Sequence, residues 1–217
     1  MPSVLTILTM KIESLSNAPD RAGRYRVTLA DGSNLRLYRQ TVEDFCLYSG
    51  MELSQEQYNR LLEAAGEMSA KMRAVRIVAA SGVSKKDLEQ RLIHKGETPE
   101  DAKNAVAWME DLSLIDDSKT AQHIVSQCVA KGYGLARAKQ ALYEKRIPKS
   151  LWDEALSDYP DQSDKIASFL QSRLDADSDA KDVKRAIDAL MRRGHTYGQI
   201  RRVLDQMTVD YGEFPED

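Results

Sequence analysis

Lys131-Gly132-Tyr133-Gly134-Leu135-Ala136-Arg137-Ala138-Lys139-Gln140-Ala141-Leu142-Tyr143-Glu144-Lys145-Arg146-Ile147 is the stretch that decides how the chain is built. Its two glycines interrupt one helical pattern. The residues after them restart a pattern that occurs once before and once after, with a period of about fifty residues. Sliding the sequence on itself aligns Leu92, Leu142 and Leu190, each followed by a basic cluster that ends a helix: Lys95-Gly96, Lys145-Arg146 and Arg192-Arg193-Gly194. Leu88, Ala138 and Ala186 stand one turn before those leucines. Beyond them come Ala102, Trp152 and Ile200, then Val106, Leu156 and Leu204, then Met109, Tyr159 and Met207. A step of four in the first helix, and of four then three in the second, keeps these positions on the inward stripe of each helix. Each repeat is therefore a helix, a tight turn and a second antiparallel helix. Thr98-Pro99, Pro148 and His195-Thr196 lie in the turns, and proline suits the start of a helix.

A third helix follows the pair in the first two repeats, with Ile124, Val125 and Cys128 in one and Ile166, Phe169, Leu170 and Leu174 in the other. Before the repeats the period changes to two. Leu8, Met10 and Ile12 alternate with Thr9, Lys11 and Glu13, and Tyr25, Val27 and Leu29 alternate with Arg24, Arg26 and Thr28. Asp31-Gly32 predicts a two-residue hairpin turn, after which Leu35 and Leu37 continue the apolar face. Thr41 is placed to cap a short helix ending before Gly50, and Ser54 to open a longer one.

The predicted fold is mainly α: tandem three-helix repeats forming an elongated, curved body, with a small N-terminal β-hairpin or β-sheet domain. The boundaries read from sequence are residues 1–66 for the β-rich domain, 67–132 and 133–176 for the first two repeats, 177–209 for a truncated third, and 210–217 for an acidic tail.

The 217 residues are 42% hydrophobic and 30% charged, ordinary values for a soluble protein. Cys46 and Cys128 stand far apart outside any C-x-x-C pair, which predicts reduced, buried thiols and a cytoplasmic setting. No apolar run approaches the ~18 residues of a membrane span, and the start lacks a basic signal region. A net charge of −3 argues against coating DNA by bulk charge, but its distribution is bipolar. Lys131 to Lys149 holds six basic residues against Glu144 alone, and Lys181 to Arg202 holds seven against Asp182 and Asp188.

On that repeat frame the sequence resembles the RecX regulatory proteins, bacterial modulators of the RecA recombinase. The resemblance is carried by Ser84, Leu88, Arg91, Leu92, Lys95 and Gly96, by Leu114-Ile115-Asp116-Asp117 with Ala121, and by the stretch from Lys131 to Ile147. It covers about residues 70 to 207, and the hairpin followed by Gly50-Met51-Glu52-Leu53 looks like the amino-terminal extension of longer members. The second repeat departs from the family's Lys-Gly-Ile turn, reading Lys145-Arg146-Ile147. The resemblance implies a non-enzymatic protein that binds the RecA filament on single-stranded DNA; no cofactor and a monomeric state are expected. The protein would lie in the filament groove and inhibit recombinase, ATPase and coprotease activities, in DNA repair, recombination and SOS control. The alternative is a helical-repeat module that contacts DNA directly and competes for it.

The residues themselves add a candidate surface. The position five before each key leucine and the position two after it share a stripe beside the buried face: Asp87 and His94, then Arg137 and Glu144, then Arg185 and Arg192. Positive character grows along the chain. The expected contact residues are Arg137, Lys139, Arg146, Lys184, Arg185, Arg192, Arg193, Arg201 and Arg202. Singly, each is an ordinary solvated cation; as a cluster in an acidic chain they predict binding to filament phosphates or acidic protein patches. Tyr133 is read as packing over a helix junction, and Gly132 and Gly134 as the break between repeats. Neither phosphate-loop pattern is present. His94, His123 and His195 are scattered and read as surface or capping residues, while Asp116-Asp117 reads as a helix cap and Trp108 and Trp152 as core. No nucleophile and base fall together, so no catalytic or metal residue is expected.

Overall fold

The period-two stretches form β1 (Thr9–Leu15), β2 (Arg24–Leu29) and β3 (Asn34–Tyr38) in the computed structural model, which describes residues 9–175 and 177–207. A fourth strand, β4 (Glu52–Ser54), pairs antiparallel with β1, giving the order β3-β2-β1-β4. Three residues are too few to show a period, so β4 was invisible to pattern. The Asp31-Gly32 turn also differs from expectation. Leu29 N–H donates to Ser33 O, and Gly32 alone takes positive φ (+81°). This is a three-residue loop ending in a left-handed glycine. The short helix α1 (Arg39–Asp44) begins at Tyr38, and Thr41 lies buried inside it instead of capping it.

Ser54 does open α2 (Gln55–Ala80): its hydroxyl accepts from Gln57 N–H while the Gln57 side chain accepts from Ser54 N–H, a reciprocal cap. This 26-residue helix serves two cores. Leu61, with Tyr58 and Ala65 beside it, covers Ile12, Val27, Leu29, Leu37 and Leu53 of the sheet. Ala70 and Ala74, followed by Val75 and Val78, cover Leu88 and Leu92 of α3 (Lys85–His94) and Ala102, Ala105 and Met109 of α4 (Pro99–Asp111). The small residues let the helix axes approach closely. Thr98 caps α4 through Asp101 N–H, with Pro99 at its first position.

The chain divides between Ile115 and Asp116 into two units. In the second, Asp116 caps α5 (Asp117–Ala130) by accepting from Ser118 and Lys119 N–H. Its stripe Ala121, Ile124, Val125 and Cys128 packs on Ala138 and Leu142 of α6 (Leu135–Glu144), with Trp152 and Leu156 of α7 (Trp152–Leu156) beside them. A second cluster joins Ile166 and Leu170 of α8 (Ser163–Gln171), Val183, Ala186, Ile187 and Leu190 of α9 (Ala180–Arg192), and Ile200, Val203 and Leu204 of α10 (Tyr197–Gln206).

The key leucines are buried as their spacing predicts, but the cores group the helices in another frame. The third helix of each module precedes its pair: the far half of α2 goes with α3 and α4, α5 with α6 and α7, α8 with α9 and α10. The third module has its full set. An apolar stripe shows that a helix has an inner face, but not which neighbour covers it. Cys128 is buried, which raises its thiol pKa, whereas Cys46 is exposed, contrary to expectation. The acidic tail over 210–217 lies outside the described residues.

Candidate functional site

The two glycines of the Lys131–Ile147 stretch do different work. Gly132 ends α5 with φ +66°, its N–H donating to Val129 O (3.0 Å) while Tyr133 N–H donates to Cys128 O (2.9 Å). That is the left-handed termination in which glycine is preferred. Gly134 has ordinary φ (−78°) and starts α6 without a side-chain cap. Its N–H donates to Arg193 O (2.9 Å), and Ala136 N–H donates to Gly194 O (3.3 Å). The carbonyl end of α9 thus satisfies the unpaired amides at the start of α6, negative pole to positive pole. The approach leaves no room for side chains: a Cβ on Gly134 would lie 2.0 Å from Gly194 O, and one on Gly194 would lie 2.3 Å from Arg137 N. The break expected at Gly134 is a clasp.

His195 completes it. Its ring is buried and its Nε2 sits 3.0 Å from Gly132 O, placed to donate. Burial lowers its pKa, the bond to Gly132 opposes that, and Arg193 adds to the lowering. His195 is therefore not the surface or capping histidine that its sequence context suggested. Its burial required a partner for the ring, and the Gly132 carbonyl supplies one.

The clasp sets Arg137 of α6 against Arg192 and Arg193 at the end of α9. Together with Tyr133, Phe169, Arg173 and Ala189 they line an open cleft holding four arginines and no acid. Phe169 organises it: the Arg193 guanidinium lies 4.5 Å and that of Arg173 5.5 Å from its ring centroid. Such contacts orient a cation over the ring face while leaving its donors free for an anion. Arg137 Nη1 donates to Glu144 Oε1 (3.0 Å), which raises Arg137 above the usual arginine range. In return Arg137, and after it Gln140, lower Glu144. Planar guanidinium forks around an aromatic floor suit phosphate or carboxylate groups.

A family model described as "RecX, second three-helix domain" matches residues 116–156, the span of α5, α6 and α7. A regulatory protein RecX of Clostridioides difficile (strain 630) is 26% identical over 204 residues, covering 91% of this chain and 94% of that protein. Another, from Vibrio campbellii, is 29% identical over 143 residues, covering 64% and 92%. A crystal structure of a regulatory protein RecX superposes with a TM-score of 0.62 at 22% identity, over 90% of this chain and 99% of that one. RecX from Lactobacillus salivarius gives 0.58 at 19% identity. The chain resembles the RecX proteins along most of its length and shares their fold.

On this RecX fold the nine residues expected at the contact surface separate into two groups. Arg137, Arg192 and Arg193 share the cleft. Lys139, Arg146, Lys184, Arg185, Arg201 and Arg202 do not line it. Arg185 is tied to Asp182 (3.0 Å) and Arg201 to Asp205 (3.1 Å). Arg146 stands at φ +55° where the first and third modules have Gly96 and Gly194. Sequence reasoning missed Arg173, and it read Phe169 only as core and Tyr133 only as packing. Tyr133 does pack, its carbonyl accepting from Tyr159 Oη (2.7 Å), and it lines the cleft as well. The signal was available in Phe169 and Arg173, which are one turn apart along the chain.

Proposed function

We propose that this protein is a RecX-like regulator that binds the RecA filament on single-stranded DNA and lowers its strand-exchange, ATPase and coprotease activities. It does so without catalysis of its own. The observation that supports this reading is the cleft of Arg137, Arg173, Arg192 and Arg193, whose lining holds no acid and in which, among the described residues, Arg137 alone is ion-paired, with Glu144. Lys139, Arg146, Lys184, Arg185, Arg201 and Arg202 are outlying contacts that widen the field around it.

The test is charge reversal of two exposed cleft arginines, Arg173→Glu with Arg192→Glu, in a protein whose fold is verified by circular dichroism. RecA ATPase on single-stranded DNA is titrated with RecA in excess, and cosedimentation with RecA and DNA is measured in parallel. Substoichiometric inhibition by the parent and its loss in the double variant, with a flatter salt dependence of binding, is the expected result. Equal inhibition by the folded double variant overturns the surface. Inhibition that tracks the amount of free DNA covered replaces the filament reading with direct competition for DNA.

A further inference from the structure

The N-terminal sheet carries an arrangement that the cleft does not explain. In the antiparallel register of β2 and β3, Arg26 stands directly opposite Arg36. Both side chains are exposed, and among the described residues neither makes an ion pair or a side-chain hydrogen bond. Like charges directly opposite on a sheet are destabilising, so the free protein bears a cost on this rung. The next rung on the same face is neutral and satisfied, Thr28 Oγ1 donating to Asn34 Oδ1 (3.0 Å).

A cleft runs over the two arginines, walled by Ser16, Pro19, Asp20 and Arg24. Its acid is already committed. Asp20 Oδ2 accepts from Arg24 Nε (3.1 Å) and Nη2 (2.9 Å), and Oδ1 accepts from the N–H groups of Ala22 (2.8 Å) and Arg24 (3.0 Å). Asp20 and Arg24 neutralise each other, which leaves the charges of Arg26 and Arg36 uncompensated. Protection of the sheet edge does not account for the pair. An edge charge belongs on β3, the edge strand, while Arg26 is on β2, paired on both sides.

We propose that the Arg26–Arg36 rung is an anion-binding site for the phosphodiester backbone of a single nucleic-acid strand, contacted without regard to sequence. Two arginines stand opposite each other on neighbouring strands and line one cleft. A carboxylate is consumed by one guanidinium fork, as Asp20 is by Arg24, whereas a phosphate offers oxygens to both. The lining of the cleft holds no aromatic side chain, so it suits a phosphate backbone and does not grip a base. This inference does not rest on the filament reading of the C-terminal cleft.

Fluorescence anisotropy of the full chain with labelled oligodeoxythymidylates of two lengths, across a salt series, tests it. Arg26→Thr and Arg36→Thr keep strand propensity, and melting without DNA is measured beside binding. Loss of two phosphate contacts in the double variant should flatten the slope of log K against log salt by about 1.4. The same change should appear on the Arg173→Glu, Arg192→Glu background, which separates this site from the cleft. Arg36→Thr alone should raise the melting temperature, since it removes the opposed charge. Unchanged affinity and slope in the folded double variant overturn the proposal. New aggregation with unchanged binding identifies edge protection, and loss of RecA binding with DNA binding intact identifies an acidic protein partner; either overturns it. Displacement by millimolar inorganic phosphate without dependence on oligonucleotide length identifies a small-anion pocket and overturns the strand assignment.

Discussion

The turn after α3 and the turn after α9 have one backbone and two different reasons for it. In both, a helix ends on a left-handed glycine, Gly96 at φ +93° and Gly194 at +89°. In both the glycine N–H reaches back three residues and the next N–H five: Gly96 to Ile93 O and Glu97 to Leu92 O, Gly194 to Met191 O and His195 to Leu190 O. Yet a Cβ on Gly96 would meet open space, while one on Gly194 would collide with the backbone of Arg137. One glycine serves φ alone and the other serves φ and contact. The residue after each differs accordingly, Glu97 reaching an arginine and His195 reaching the clasp.

The largest expected effect breaks that comparison at Gly194. Gly194→Ala adds crowding to an unfavourable φ and should cost about 3 kcal/mol or more in urea unfolding, against about 1–2 for Gly96→Ala. Gly134→Ala isolates crowding, since its φ is ordinary and its Cβ would lie 2.0 Å from Gly194 O. It should cost more than Gly96→Ala although it carries no φ penalty, and should weaken cleft-dependent binding because Arg137 loses its placement. Equal costs at Gly96 and Gly194 would mean that the clasp relaxes freely.

Glu97 sharpens the other half. Its side chain is 7% exposed and accepts from Arg73 Nε (2.7 Å), with Ser69 Oγ donating to it (3.0 Å). Arg73 also donates to Lys95 O (2.9 Å), tying α2 to the turn. Glu97→Gln should cost about 2 kcal/mol, discounted from a fully buried pair because Arg73 is 33% exposed. His195→Gln should show no comparable loss at neutral pH, since the group it reaches is a neutral carbonyl.

The helical repeats were legible because Leu92, Leu142 and Leu190 sit on stripes of regular spacing and end at basic, turn-forming residues. Two caps were legible for the same local reason, Ser54 and Asp116 acting on amides two or three residues away, whereas Thr41 is not the cap its context suggests. Everything decided by long-range contact was not. Nothing near Gly134 in the chain reveals that Gly194 lies against it, sixty residues on. The same holds for His195 and Gly132, for the strand β4, and for the core that α5 joins. Of the cleft, the charges on α6 and α9 were visible as runs, whereas Phe169 and Arg173 needed the fold to become neighbours of Arg193. The Arg26–Arg36 rung required a register that the alternation of β2 and β3 allows but does not choose.

pH gives a smaller effect that tests the clasp through its histidine. Burial holds the His195 pKa below its ordinary 6.5, so the unfolded chain takes up the proton first. Its contribution is fully present above pH 6.5 and is lost as pH falls through the lower folded pKa. Asp116 and Glu144, lowered by an amide and an arginine, lose theirs only at more acidic pH. Urea unfolding should therefore show a decline below pH 6.5 that His195→Gln removes. A decline of the same size in that variant would place its origin elsewhere.

The smallest effect concerns the third of these turns, Lys145-Arg146-Ile147. Arg146 N–H donates to Tyr143 O (2.9 Å) and Ile147 N–H to Leu142 O (3.0 Å), the same pair of bonds as in the other two turns, at φ +55° on a residue with a Cβ. The left-handed conformation costs a non-glycine residue about 1–2 kcal/mol, and glycine returns about half of that by loosening the unfolded chain. Arg146→Gly should therefore stabilise the protein by about 0.5–1 kcal/mol while weakening the filament binding proposed above. Ile147 is buried in the α5–α6–α7 core, so the turn has an apolar anchor that neither Glu97 nor His195 supplies, which allows the backbone to keep its shape without glycine. A gain in stability with binding unchanged would show that the arginine is there for neither the turn nor the surface. A loss of stability would show that its side-chain contacts hold the turn more strongly than its backbone strains it.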